Sequence, residues 1–185
     1  MTKTEARKLA KACRAAVDLH TVGHAMARVL FTLPAWQHTD TVLAFASMPD
    51  EPDTADILRQ ALAEGKRLLL PRVLSRTEMD WVEITALSQL QPGAYGILEA
   101  PASLPAFDTA HLGDGALALI PCLAASPDGV RLGRGGGYYD RFLAHYKGRR
   151  LLVCPTAALL GDLPCEGWDV RFSPHEILTE KGILL

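Results

Sequence analysis

Apolar side chains recur at helical spacing near the N-terminus. Leu9, Ala12, Cys13, Ala16 and Val17 form one stripe within residues 3 to 19, among good helix formers, which predicts a first amphipathic helix. Thr21 is a candidate cap for a second helix running to about Leu33, where Pro34 ends it. The period then changes. Thr41 to Ala46, TVLAFA, is a short continuous apolar run and reads as a buried strand, and Asp53 to Glu64 reads as the helix after it, stopped by Gly65. Lys66 to Val73 contains the strand KRLLL followed by Pro71.

The segment MDWVEI at 79 to 84 alternates and reads as a more exposed strand. From Leu87 to Leu112 the composition shifts to Pro, Gly, Ala and Ser, which predicts a loop ordered by packing or by a ligand. Ala116 to Ile120 is a further core strand, Tyr138 to Tyr146 a helix, Arg150 to Cys154 a strand and Glu176 to Thr179 a short last one. Strand, helix and strand in succession imply right-handed parallel crossovers. The expected fold class is α/β, a mostly parallel sheet with helices on both faces in three α/β/α layers, as one domain over residues 1 to 185. Ligands of such sheets bind beyond the carboxyl ends of the strands. The loops after residues 46, 71 and 120 are therefore expected to converge on one edge with Met48, Asp50, Glu51, Arg72 and the glycine-rich segment after residue 131.

Charge narrows the function classes. A formal net charge of −2 gives no global attraction to nucleic acid or to an anionic membrane, and neither is expected as a partner. Residues 1 to 14 are basic and lack the uninterrupted apolar core of a signal peptide. The most apolar stretch, Ala116 to Ala125, is cut by Pro121 and falls short of the ~20 residues that span a bilayer. A cytoplasmic monomer is the expectation. Cys13, Cys122, Cys154 and Cys165 make no C-x-x-C pair and read as reduced and structural. His20 and His24 lie four apart, but no glutamate sits between them as in H-E-x-x-H, so a metal pair is not expected.

The densest chemistry lies in RLGRGGGYYDR, Arg131 to Arg141. Gly133, Gly135, Gly136 and Gly137 allow turns that other residues resist and let backbone amides approach an anion closely. Arg131, Arg134 and Arg141 surround them with positive charge, and Tyr138, Tyr139 and Asp140 follow. Neither familiar phosphate loop fits: Tyr138 stands where G-x-G-x-x-G needs its last glycine, and no G-x-x-x-x-G-K-[ST] can be threaded. The segment reads as a polyphosphate cradle of another type, with Asp140 available to a divalent ion. Lys3 and Arg7, one helical turn apart, point the same way.

These residues resemble the 5-formyltetrahydrofolate cyclo-ligase family. IPCLAASPDGVRLGRGGGYYDRFL at 120 to 143 is similar to the family's signature of strand, proline, short loop and R-L-G-x-G-x-G-Y-Y-D. Lys3 and Arg7 match its K-x-x-x-R, FASMPDEPDT at 45 to 54 is similar to the segment carrying its substrate glutamate, and LPRV at 70 to 73, MDW at 79 to 81 and GILE at 96 to 99 follow in order. The resemblance implies ATP- and Mg²⁺-dependent closure of 5-formyltetrahydrofolate to 5,10-methenyltetrahydrofolate. It implies ATP contacts from Lys3, Arg7, Arg131, Gly133, Arg134, Gly135, Gly136, Gly137, Tyr138 and Asp140, with Asp140 holding the metal. Folate contacts would come from Met48, Glu51, Tyr95 and Tyr139, and Arg134, Tyr139 and Asp140 would be catalytic. The tail departs from the family pattern: Ala158 precedes Leu163–Pro164 where a glutamine is usual, and Trp168 precedes Asp169 where a histidine is usual. The alternative is a non-catalytic folate- or nucleotide-binding protein of the same fold.

Overall fold

A reciprocal cap starts the first helix: the Thr2 hydroxyl accepts from the Glu5 amide, and the Glu5 carboxylate accepts from the Thr2 amide. The structure, a computed structural model, describes residues 1–93, 97–167 and 169–184. Helix α1 (Lys3–Ala15) stops short of the expected residue 19, because Asp18 accepts from the His20 amide and caps α2 (Leu19–Thr32). Thr21 is not that cap; it lies in the first turn, its hydroxyl donating to Asp18 at 2.6 Å. Pro34 does more than end α2. It opens the single turn α3 (Pro34–Gln37), which buries Trp36.

The elements after α3 are β1 (Thr41–Leu43), α4 (Ala55–Ala63), β2 (Arg67–Val73), β3 (Met79–Ile84), β4 (Gln91–Pro92), β5 (Leu98–Glu99), β6 (Ala116–Pro121), β7 (Ala124–Ala125), β8 (Arg131–Leu132), α5 (Tyr138–Leu143), β9 (Arg149–Val153), β10 (Ile177–Thr179) and β11 (Gly182–Ile183). Seven strands form one sheet in the order β11-β10-β9-β6-β1-β2-β3. From β10 to β2 every pairing is parallel, whereas β3 and β11 close the edges antiparallel. The expected exposed strand at 79 to 84 is thus an edge strand, though its Trp81, Val82 and Ile84 are buried. The loop from 87 to 112 contains the small β4–β5 ladder, and β7 and β8 form a hairpin.

Strand residues alternate between faces, so the sheet has two cores. Leu43, Leu69, Ala118, Ile120 and Leu152 pack with Ala6 and Ala10 of α1 and Leu143 of α5. Val42, Leu68, Leu70, Leu117, Leu119 and Val153 pack with Met26, Leu30, Trp36 and Ile57 of α2 to α4. Helices therefore cover both faces, which is the expected three-layer arrangement and explains why the central strands read as unbroken apolar runs. A Cβ at Gly23 would sit 2.3 Å from the Asp53 carbonyl oxygen, so glycine there lets α2 lie against the start of the α4 segment. All four cysteines are free. Among the described residues no helix is long and apolar enough to cross a membrane.

Candidate active site

Two loops leave the carboxyl ends of the central parallel strands and meet. After β1, the Thr54 hydroxyl donates to the Phe45 carbonyl at 2.7 Å and accepts from the Ser47 amide at 3.1 Å, pinning the loop at both ends. Within it, the Glu51 carboxylate folds back to accept from the Met48 amide at 2.9 Å and is almost wholly buried. After β6, the β7–β8 hairpin turns at Gly129, where φ is 90° and a Cβ would lie 1.6 Å from the Phe172 carbonyl oxygen, so no side chain fits. The hairpin delivers Arg131 and then the glycine loop, in which Gly135 and Gly137 adopt φ of 104° and 68° before α5 begins.

The arginines hold different partners. Arg131 Nη2 donates to Asp140 Oδ1 at 2.6 Å and Nη1 to the Pro121 carbonyl at 3.2 Å, so it braces the start of α5 against the end of β6. Arg134 reaches across to the other loop, its Nη2 lying 3.0 Å from Glu51 Oε1 and its Nη1 3.2 Å from Asp50 Oδ2. Arg141 donates to the Gly136 carbonyl at 2.8 Å and covers the Tyr138 ring at 5.4 Å. The Tyr138 hydroxyl donates at 2.7 Å to the Ser75 carbonyl in the β2–β3 turn.

Helix α1 contributes three cations on one face. Arg7 Nε donates to the Gly133 carbonyl at 3.0 Å, and Arg7 pairs with no carboxylate among the described residues. Lys3 Nζ lies 2.7 Å from Glu166 and 2.9 Å from Asp169. The buried Arg14 donates from Nε to the Leu123 carbonyl at 2.7 Å, from Nη1 to the Asp50 carbonyl at 2.6 Å, and from Nη2 to the Cys122 carbonyl. One guanidinium thereby fixes both loops relative to each other.

Lys3, Arg7, Glu51, Arg134 and the glycine loop line a cleft of about 1120 Å³, with Arg14 buried behind its wall. Of the residues singled out in the sequence, Lys3, Arg7, Met48, Glu51, Arg131, Gly133, Arg134, Gly135, Gly136, Gly137, Tyr138, Tyr139 and Asp140 all contribute to its wall. Tyr95 and Trp168 lie outside the described residues. Arg72 is a correction: it is not in the wall but pairs with Asp80 at 2.6 Å and donates to the Pro101 and Leu104 carbonyls. Its neighbours Pro71 and Val73 line the cleft, and strand alternation sends Arg72 to the other side. Sequence reasoning missed Arg14, Glu166 and the apolar wall of Leu70, Pro71, Val73 and Met79. Arg14 had a readable signal, since positions 3, 7 and 14 fall on one helical face.

The local charges have consequences. Burial favours the neutral form of Asp169, but the Glu166 amide and the Lys3 ammonium outweigh it and hold the carboxyl below its ordinary value. Asp50 is likewise held low, Arg134 overcoming partial burial. Burial, reinforced by the charge of Glu51, pushes the Tyr139 phenol up, so it remains a neutral donor rather than a phenolate. Its ring packs edge-on to Trp81 at 6.3 Å and lies under the Arg131 guanidinium at 6.0 Å.

The model of the 5-formyltetrahydrofolate cyclo-ligase family matches residues 2–180. The 5-formyltetrahydrofolate cyclo-ligase of Mycolicibacterium smegmatis is 30% identical over 152 residues, covering 78% of this chain and 76% of the relative. That of Escherichia coli K12 is 30% identical over 154 residues, covering 80% and 84%. Among solved structures, the Aquifex aeolicus 5,10-methenyltetrahydrofolate synthetase superposes with a TM-score of 0.83 at 26% identity, covering 100% of this chain and 92% of the other.

Proposed function

The chain belongs to the 5-formyltetrahydrofolate cyclo-ligase family, and from that membership we propose that its cleft converts 5-formyltetrahydrofolate and ATP to 5,10-methenyltetrahydrofolate, ADP and phosphate. One observation supports this reading above the others: Arg134 of the glycine loop and Glu51 of the facing loop meet in a single cleft. A two-substrate ring closure needs a phosphate-binding wall and a folate-binding wall within bonding distance. The names of the family and its relatives favour the enzyme over a non-catalytic binder.

In this assignment the amides of Gly135 to Gly137 and the cations Lys3, Arg7 and Arg134 receive the phosphates, while Tyr138 and Arg131 fix the loop that presents them. Glu51 accepts from pterin N–H groups, with Met48 and the Leu70, Pro71, Val73 and Met79 wall against the ring. The formyl oxygen is a poor leaving group. It attacks the γ-phosphorus as the bond to ADP breaks; N10 then attacks the activated formyl carbon and releases its proton to water, and that oxygen departs with phosphate. Phosphoryl transfer depends chiefly on positioning and charge neutralisation, which the arginines and loop amides supply. Tyr139, neutral and beside Glu51, serves as a hydrogen-bond donor to the formyl region.

For Mg²⁺ the residues fit a minimal role. Asp140 Oδ1 is held by Arg131, whereas Oδ2 makes no hydrogen bond among the described residues. Among the described residues no group of three or more His, Cys, Asp or Glu is arranged to hold a metal, so Asp140 is the residue that would hold a hard cation here, together with the phosphates it would accompany. A Mg²⁺ ion held there would supply neutralisation of phosphate charge. We propose that it acts in the cytoplasm as a monomer of one domain.

The test is appearance of the methenyl absorbance when purified protein, ATP, Mg²⁺ and 5-formyltetrahydrofolate are mixed. It is expected to require a transferable γ-phosphate. Calorimetric binding of both ligands with no absorbance change would instead establish a non-catalytic binder.

A further inference from the structure

Helix α2 carries His20 and His24 one turn apart, outside the wall of the active-site cleft. Their Nε2 atoms stand 2.9 Å apart, with the two ring planes at 78°. The other nitrogen of each ring faces a carboxylate: His20 Nδ1 lies 2.8 Å from Asp53 Oδ2, and His24 Nδ1 contacts Asp56 Oδ2. A carboxylate only accepts, so each Nδ1 bears a hydrogen and donates it. In the neutral rings both Nε2 atoms then present lone pairs to each other at contact distance. Such a pair is repulsive unless an electrophile lies between or in front of the two nitrogens.

We propose that this electrophile is a divalent late transition cation, Cu²⁺, Ni²⁺ or Zn²⁺, chelated by His20 Nε2 and His24 Nε2. At metal–nitrogen distances of about 2.0–2.1 Å, a nitrogen separation of 2.9 Å subtends about 90° at the ion, the cis angle of tetragonal copper or nickel. Tetrahedral zinc needs the nitrogens to open by about 0.4 Å, which these side chains, 66% and 40% exposed, can accommodate.

The surroundings match such a site. Carboxylates that take the Nδ1 hydrogens fix the tautomer and orientation that metal-binding histidines need. Asp18, which caps α2 by accepting from the His20 amide, adds negative charge next to His20, and Arg59 pairs with Asp56. The sequence TVG between the histidines lacks the glutamate of hydrolytic zinc helices, so this is a binding site without an adjacent base. Among the described residues no third side chain completes the sphere, leaving the remaining positions to water or to an anionic ligand. His20 and Asp53 also line a second cavity of about 440 Å³ that shares Met48 and Glu51 with the active-site cleft.

The full chain, stripped with chelator, should be titrated by calorimetry with Cu²⁺, Ni²⁺ and Zn²⁺ in a non-coordinating buffer. The expected result is one ion per chain, with Cu²⁺ tightest. His20→Ala and His24→Ala are each expected to abolish saturable binding, and Asp53→Asn and Asp56→Asn to weaken it about 10- to 100-fold. Far-UV circular dichroism of each variant checks folding, and His24→Gln provides a second, milder substitution. The Cu²⁺ complex should show two-nitrogen coupling by electron paramagnetic resonance. No binding of any of the three ions, or undiminished binding in folded His24→Ala, would overturn the proposal, as would nitrogen NMR showing only a shared proton between the rings at excess metal. None of these readouts depends on cyclo-ligase turnover.

Discussion

Arg134 Nη2 and Glu51 Oε1 stand 3.0 Å apart, so a cation of the glycine loop is engaged with the carboxylate of the facing loop. Phosphate and pterin each compete with that ion pair, and the two walls of the site are therefore coupled. Arg134→Ala is expected to lower kcat/KM for ATP by about 10²–10³-fold and also to alter the folate KM. The double variant Arg134→Ala/Glu51→Gln should fall less than the two single effects combined. Steady-state kinetics on the four proteins gives the coupling; strictly additive effects would show the residues to act independently.

Arg14 sits beneath both loops, donating to three backbone carbonyls. Arg14→Ala leaves buried acceptors unpaired, at about 1–3 kcal/mol each where water cannot enter. The expected outcome is a lower urea midpoint together with weaker binding of both substrates, read from denaturation curves and from the two KM values. Arg14→Lys, which keeps charge but loses the fork, should recover only part of either.

The Lys3–Asp169 pair predicts a stability window. A carboxyl held below its ordinary value adds stability above the unfolded-state pKa of about 3.9, and loses it as pH falls through the lower folded value. For Lys3, burial is outweighed by Glu166 and Asp169, and the raised value adds stability fully present below about pH 10 and lost as pH rises through the folded value. Asp169→Asn should therefore flatten the acid limb of a thermal-midpoint-against-pH curve and lessen the alkaline decline. An unchanged acid limb would exclude the pair as a contributor.

Gly137 requires a left-handed backbone, and a Cβ there would lie 2.7 Å from Arg141 Nη1. Gly137→Ala is expected to cost about 1–2 kcal/mol and to raise the ATP KM more than the folate KM. Gly161→Ala, where nothing stands within 4 Å, is the control expected to leave both unchanged.

The parallel core and its layers are legible because short unbroken apolar runs such as Leu117–Leu119, bounded by turn residues, fit strands covered on both faces. The glycine loop is legible because the residue types needed to receive phosphate lie together in sequence. Contacts across the fold are not. Arg72 reads as a site residue by proximity to a strand end, but a period of two turns it to Asp80. Glu166 carries no local signal, since its partner Lys3 is remote along the chain. The boundary at Asp18 is ambiguous in sequence because Asp18 and Thr21 are both competent caps, and only the backbone decides between them.

The 166-residue separation between Lys3 and Asp169 bears on how the protein is made. Helix α1 is made before Gly133, which receives Arg7, and long before Asp169. The Lys3 contacts thus wait for Glu166 and Asp169, and β10 and β11, which follow Asp169 in the chain, join the sheet after that segment is made.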